Sequence, residues 1–277
     1  MLWNARNGSI GIRNTQMSYV SFGYGKRYLI LIPGLSDGLA TVKGKALLLA
    51  KPYCVFFKQY TVYMFSRIDQ MPYNYSIADM ADDLSKAIDM LGIGKAAVAG
   101  ISQGGMIAQS LASRYPEKVT ELILAVTAPN CNKITEYCVR EWISLAKKEN
   151  HRQLMIDTAE RSYSMSYLKR YRRYYPFLGM IGRPRNYDRF LKNAEAILHY
   201  EGIDMLENII SPTLIVGGEN DRIVGAQASY ELKDHIQNSE LFIYKGLGHA
   251  AYEEAKDFNA RVFDFLEKNT KDYKGEM

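Results

Sequence analysis

Short apolar runs alternate with amphipathic stretches along most of the chain. "SIGIRN" and "QMSYVSFG" predict two short strands, and Gly23 and Gly25 predict a tight hairpin from the second into "KRYLILIP". That third run is continuously apolar, as a strand covered on both faces requires. "GKALLLAKPYCVFF" predicts a helix whose end is blurred by Pro52, and "YTVYMFS" predicts a strand. "SIADMADDLSKAIDMLG" is the clearest helix. Ser76 can cap it with Asp79 three residues on; Ile77, Met80, Ala81, Leu84, Ile88 and Leu91 share one face; Gly92 stops it. "AAVAGIS" then predicts a strand, "GGMIAQSLASRYP" a helix ending near Pro116, and "TELILAVTA" a buried strand. Much later, "PTLIVGG", "AQASYELKDHI", "ELFIYKG" and "FNARVFDFLEKN" read as strand, helix, strand, helix.

This rhythm predicts an α/β fold: a mostly parallel, eight-stranded sheet with helices on both faces and an antiparallel hairpin at one edge. Between residues 129 and 210 the rhythm stops, and the pattern is helical without a convincing strand. The expected organisation is a core of residues 1–128 and 211–277 carrying a helical cap inserted at 129–210. A length of 277 residues suits one such domain. The N-terminal "MLWNARNGSIGIRNTQ" has no apolar segment of the secretory kind, and no run approaches the roughly 18 apolar residues of a spanning helix. The three cysteines, Cys54, Cys131 and Cys138, are odd in number and not spaced for zinc, and the four histidines do not cluster. A reduced, cytoplasmic protein without disulfides or metal is expected. "ARNGSIG" and "LATVKGKA" lack the spacing of a phosphate loop, so no nucleotide or other cofactor is expected.

The candidate chemistry begins at Gly100-Ile101-Ser102-Gln103-Gly104-Gly105, at the corner between a predicted strand and a predicted helix. A serine hydroxyl is a poor nucleophile unless a base takes its proton, a third group orients that base, and donors receive the oxyanion. Glycines flanking Ser102 permit a sharp turn that lifts its oxygen clear of the sheet. His249, in "YKGLGHAAYEE", is the histidine that follows a predicted strand end; His151 and His199 fall in the cap and His235 in a helix. "LIVGGENDRIV" supplies the acid, with Asp221 further into the loop than the fallback Glu219. This gives the chain order Ser, Asp, His. The oxyanion donors are expected to be the N–H of Gln103, directly after the serine, and that of Leu35 in the loop after "YLILIPG".

These residues make the chain resemble the α/β-hydrolase superfamily, in its compact branch with a helical cap after the sixth strand. That branch includes carboxylesterases, lactonases, proline iminopeptidase-like enzymes and carbon–carbon-bond hydrolases. The resemblance covers nearly all of the chain outside the cap and rests on "LILIPGLSDG", "GISQGG", "LIVGGENDRIV" and "GLGHAAYEE". It implies Ser102 as nucleophile, His249 as base, Asp221 as its orienting acid, and Leu35 and Gln103 as oxyanion donors. The chain departs from the branch at Pro33-Gly34, where His-Gly is usual. The implied activity is hydrolysis of a small or medium ester, thioester or lactone through an acyl-enzyme. Carbon–carbon-bond hydrolysis, an amidase or aminopeptidase activity, and a non-catalytic binding protein on the same fold are the alternatives.

Charge adds one feature. Of the net +5, most lies between residues 129 and 210, where fourteen Lys and Arg face ten Asp and Glu. In "YSMSYLKRYRRYYPF", a helix would place Tyr163, Tyr167, Tyr171 and Tyr174 on one face and Lys169, Arg172 and Arg173 on another. Two readings stand: tyrosines packed on the core beneath a solvated basic face, or attraction of an anionic substrate or partner, such as a carrier-protein-linked small molecule or an acidic membrane surface. Nucleic acid finds no other support in the chain. Trp142, Met165 and Tyr252 are candidate pocket residues.

Overall fold

The computed structural model describes residues 2–180 and 182–275. Among them, eight strands form one sheet: β1 (Arg6–Ile12), β2 (Thr15–Gly23), β3 (Arg27–Ile32), β4 (Tyr60–Ile68), β5 (Ala96–Ile101), β6 (Val119–Ala125), β7 (Thr213–Gly218) and β8 (Ser239–Tyr244). Their spatial order is β1-β2-β4-β3-β5-β6-β7-β8. The β1–β2 and β2–β4 pairs are antiparallel and the rest are parallel.

The central run "LILI" shows how the sheet is built into the core. Leu29 and Leu31 belong to one apolar cluster, Ile30 and Ile32 to the other. Successive side chains of a strand point to opposite faces, so an uninterrupted apolar run feeds two cores at once. On the side of Ile30 and Ile32 lie α2 (Ile77–Met90), α3 (Gln103–Arg114) and α8 (Gln227–His235); on the other lie α1 (Ala46–Ala50) and α10 (Phe258–Gly275). A short α9 (Ala251–Glu254) follows β8. Between β6 and β7 the described residues hold only helical elements and one isolated bridge, Asn130 to Glu201. These helices are α4 (Lys133–Lys147), α5 (His151–Ser162), α6 (Met165–Tyr171) and α7 (Asp188–Leu198), with a 3-10 turn at Arg172–Phe177. No helix among the described residues is long and apolar enough to cross a membrane.

One expectation is corrected. The predicted hairpin from β2 through Gly23 and Gly25 into β3 does not form, because β4 lies between those strands. A strand apolar on both faces needs a paired neighbour on each edge, and β3 finds parallel ones in β4 and β5. The glycines serve a different purpose. The chain passes so close to the start of β4 that a Cβ on Gly25 would stand 1.8 Å from the carbonyl carbon of Gln59. The predicted helix over 44–57 is also shorter: after Ala50 it tightens into a 3-10 turn at Lys51–Phe56, where Pro52 has no N–H to continue the α-helical ladder.

Helix α2 carries the predicted cap. The Ser76 hydroxyl accepts from the Asp79 N–H at 3.1 Å, and the Asp79 carboxylate accepts from the Ser76 N–H at 3.1 Å. Ser76→Ala is expected to lower stability by about 1 kcal/mol. Burial pushes the Asp79 carboxyl up, but hydrogen bonds from Ser76 and the Arg13 guanidinium outweigh it and hold it below its usual range. Its contribution is therefore fully present above the unfolded carboxylate range near about 4 and is lost as pH falls through the lower folded value. Asp79→Asn should reduce the urea midpoint more at about pH 7 than at about pH 2; equal shifts at both would contradict this account.

Candidate active site

Strand β5 delivers Ser102 to the carboxyl edge of the sheet, where α3 begins. Ser102 has φ 54° and ψ −120°, a conformation a side-chain-bearing residue adopts only under strain. The surroundings hold it there. Its N–H donates to the Ala125 carbonyl at 2.9 Å, and its carbonyl accepts from the Gly105 N–H at 2.8 Å and the Thr127 hydroxyl at 2.7 Å. The turn is tight enough that a Cβ on Gly104 would sit 2.0 Å from the Ile32 carbonyl oxygen, and one on Gly100 would sit 2.3 Å from the Gly104 carbonyl oxygen. The glycines are therefore a steric requirement of the corner.

The loops after β7 and β8 bring the other two groups. The Ser102 hydroxyl lies 2.9 Å from His249 Nε2, and His249 Nδ1 lies 2.8 Å from Asp221 Oδ2. A carboxylate can only accept, so Nδ1 carries the hydrogen and the Nε2 lone pair faces the serine hydroxyl. Asp221 and His249 are both buried. The second carboxylate oxygen of Asp221 accepts from the N–H groups of Ile223 at 2.8 Å and Val224 at 3.0 Å. Burial alone would raise this carboxyl; the His249 imidazole and those two N–H groups outweigh it and hold the group below its usual range. Glu219 faces elsewhere: it accepts from the Gly246 N–H at 2.8 Å and ties the two loops together. Such a hydrogen-bonded chain can draw a proton from the serine as its oxygen attacks a carbonyl.

Leu35 opens a short 3-10 turn at Leu35–Gly38, and Gln103 opens α3. First residues of helices have no acceptor in a preceding turn, and neither N–H makes a hydrogen bond to a described residue. Beneath these two positions lies a polar cluster that sequence reasoning missed. Arg67, at the end of β4, is 3% exposed. Its Nη2 donates to the Gln103 side-chain carbonyl at 3.0 Å, its backbone N–H donates to Asp37 Oδ2 at 3.1 Å, and its Nη1 stands 3.8 Å from the same oxygen. Arg189 of α7 reaches in from the helical segment to Asp37 Oδ2 at 2.6 Å and to the Ile68 carbonyl at 2.6 Å. The Gln103 amide donates to the Asn193 carbonyl at 2.7 Å. Burial pulls the Arg67 guanidinium down to about 10, against the pull of Asp37, so it stays charged at neutral pH. The available signal was a single arginine at the end of an otherwise apolar strand run.

Above His249 and Ser36 opens a cavity of about 380 Å³. Tyr252 lines it, with Tyr163, Tyr167, Tyr171 and Tyr174. Trp142 and Met165 are not among its lining residues. Trp142 packs in the core and donates its indole N–H to Asp157 at 2.8 Å, and Met165 is 52% exposed. Among the described residues, no group of three His, Cys, Asp or Glu side chains is placed to hold a metal ion.

Arg67→Met would leave the Gln103 carbonyl unpaired and strip Asp37 of one of its cations. A loss of about 3–5 kcal/mol is expected by chemical denaturation. Arg67→Lys should recover little of it, because one ammonium cannot serve both partners; full recovery by lysine would show that only the charge matters.

Comparison with known proteins places this geometry in context. The profile of the "alpha/beta hydrolase fold" family matches residues 63–256. A 2-hydroxy-6-oxononadienedioate/2-hydroxy-6-oxononatrienedioate hydrolase of Klebsiella pneumoniae is 30% identical over 197 residues, 66% of each chain. A second hydrolase of that name, from Pseudomonas putida, is 28% identical over 270 residues, 93% of each chain. In three dimensions the chain resembles an alpha/beta hydrolase enzyme from a deep-sea metagenome library. That match has a TM-score of 0.80 at 21% identity, covering 94% of this chain and 97% of the other.

Proposed function

Because the chain belongs to the alpha/beta hydrolase fold family, we propose that it is a serine hydrolase cleaving a small or medium carboxylic ester, thioester or lactone through an acyl-enzyme. The observation that carries this reading is the unbroken hydrogen-bonded chain from Ser102 through His249 to Asp221, mounted on a strained turn. Ser102 Oγ attacks the acyl carbonyl carbon while His249 Nε2 takes its proton. Asp221 holds the resulting imidazolium by charge and hydrogen bond. The tetrahedral oxyanion is received by the N–H groups of Leu35 and Gln103. Collapse breaks the bond to the leaving group, which takes the proton back from His249. Water, deprotonated by the same imidazole, then releases the acid and restores Ser102. The cavity, at about 380 Å³, lies near the lower end of the range for ligand pockets, which supports a substrate of modest size. The helical segment 129–210 acts in this reading as a cap over the site.

Carbon–carbon-bond hydrolysis is the second reading. It is favoured by the names of the relatives at 28–30% identity.

Labelling with a fluorophosphonate, read by intact mass, is expected on the wild type and not on Ser102→Ala. A folded wild type that takes no label would count against an activated serine. Asp221→Asn is expected to reduce kcat for p-nitrophenyl butyrate on the order of 10⁴-fold, because the imidazole loses the partner that sets its tautomer.

A further inference from the structure

The cavity over His249 differs in charge from the surface of the segment that builds it. Among its described lining residues there is no lysine or arginine. Its only acidic lining residue, Glu253, accepts from the Tyr163 hydroxyl at 2.5 Å. The basic residues of the same helices lie on the outside. Lys169, Arg170, Arg172 and Arg173 are exposed. Arg172 makes two bonds of 2.7 Å to Glu160, and Arg161 is held by Asp157 at 2.7 Å. Around α6 the basic side chains therefore face solvent and not the cavity, whereas Arg189 of α7 turns inward to Asp37.

What faces the cavity is aromatic. The rings of Tyr163 and Tyr167 stack at 4.3 Å and those of Tyr167 and Tyr171 at 4.1 Å, with Tyr174 tilted against Tyr171 at 6.2 Å. Leu168 and Leu178 complete the wall. Rings stacked on one another present edges and hydroxyls more than open faces, which disfavours a cationic guest that needs a ring face. Burial, reinforced by neighbouring carboxylates and tyrosines, raises Tyr163 and Tyr167, so the hydroxyls stay neutral and can bond to an uncharged polar group.

We propose that this tyrosine-walled cavity selects an uncharged substrate and rejects one that carries a carboxylate. The proposal rests on the hydrolase reading for its site and goes beyond it in naming the substrate class. A carboxylate placed here would find no cation among the described lining residues, and Glu253 stands on the same wall to repel it. The relatives described above are named for dioates, and this cavity has no group to pair with a second carboxylate. The outer cations do not alter this, because charges separated from the guest by the tyrosine wall and bathed in salt are screened.

The test compares p-nitrophenyl esters of matched length: 4-phenylbutyrate, the anionic hydrogen glutarate, and 4-(trimethylammonio)butyrate. The expected result is a kcat/KM for the phenyl ester at least roughly 100-fold above that of the hemiester, persisting in high salt. Tyr167→Arg, which brings a cation to the wall, should narrow that gap about tenfold. Equal rates, or a preference for either charged ester, would overturn the proposal. Equilibrium binding of 4-phenylbutyramide and of the glutaramate anion to Ser102→Ala separates this proposal from the reading beneath it. Preference for the neutral amide, together with no ester cleavage and no fluorophosphonate labelling of the wild type, would leave the pocket selectivity standing and remove the hydrolase assignment. Preference for the anion, or no binding of the neutral amide, would remove the selectivity itself.

Discussion

Ser102 holds φ 54° and ψ −120°, and a side chain stays in that region only where the backbone around it leaves no alternative. Here the restraint comes from three sides. β6 fixes the serine's N–H through the Ala125 carbonyl, Thr127 fixes its carbonyl, and Gly104 lets the first turn of α3 lie against the end of β3. Every other feature of the site takes its position from this corner. The imidazole of His249 reaches Oγ because β7 and β8 run parallel to β5 and end at the same edge. The 3-10 turn carrying Leu35 stands beside the corner because β3 is the neighbouring strand.

The buried cluster under the corner couples parts of the chain that are distant in sequence. Arg67 from β4 binds the side chain of Gln103 and, through Asp37, the turn that carries Leu35. Arg189 joins the helical segment to the same carboxylate. A buried charge that loses its partner is costly, so each member constrains the others. The two N–H groups proposed to receive an oxyanion are thus tied to one guanidinium, and that guanidinium to the helices above it.

Above the corner the helical segment sorts its residues by face. In α6 and the 3-10 turn after it, basic side chains face water, while Tyr167, Tyr171, Tyr174 and Tyr175 line the cavity that His249 also lines, Tyr171 and Tyr174 with part of their surface in solvent. A basic stretch of sequence therefore lines a cavity with no lysine or arginine among its described lining residues, so net charge read along the chain does not report the charge of the surface beside His249.

Local periodicity was enough to mark the eight strands, the capped helix α2 and the change to helices after β6, because each is decided by neighbours within a few residues. Ser102, Asp221 and His249 could be picked out for a related reason: each follows a strand, and the ends of parallel strands gather at one edge. Strand order was not legible in this way. Gly23 and Gly25 suit a hairpin as well as a close passage, and only the demand of β3 for a paired neighbour on both edges decided between them. Arg67 stood out only as an arginine closing an apolar strand run, and nothing local marked Asp37 or Arg189, since their pairing joins residues far apart in the chain. Trp142, Met165 and Tyr252 were the pocket candidates on sequence; Tyr171 and Tyr174 were marked only as part of a helix-face tyrosine stripe. Which of them faced the cavity was decided by how α4 to α6 pack, and side-chain packing between separate helices is a property of the tertiary structure alone.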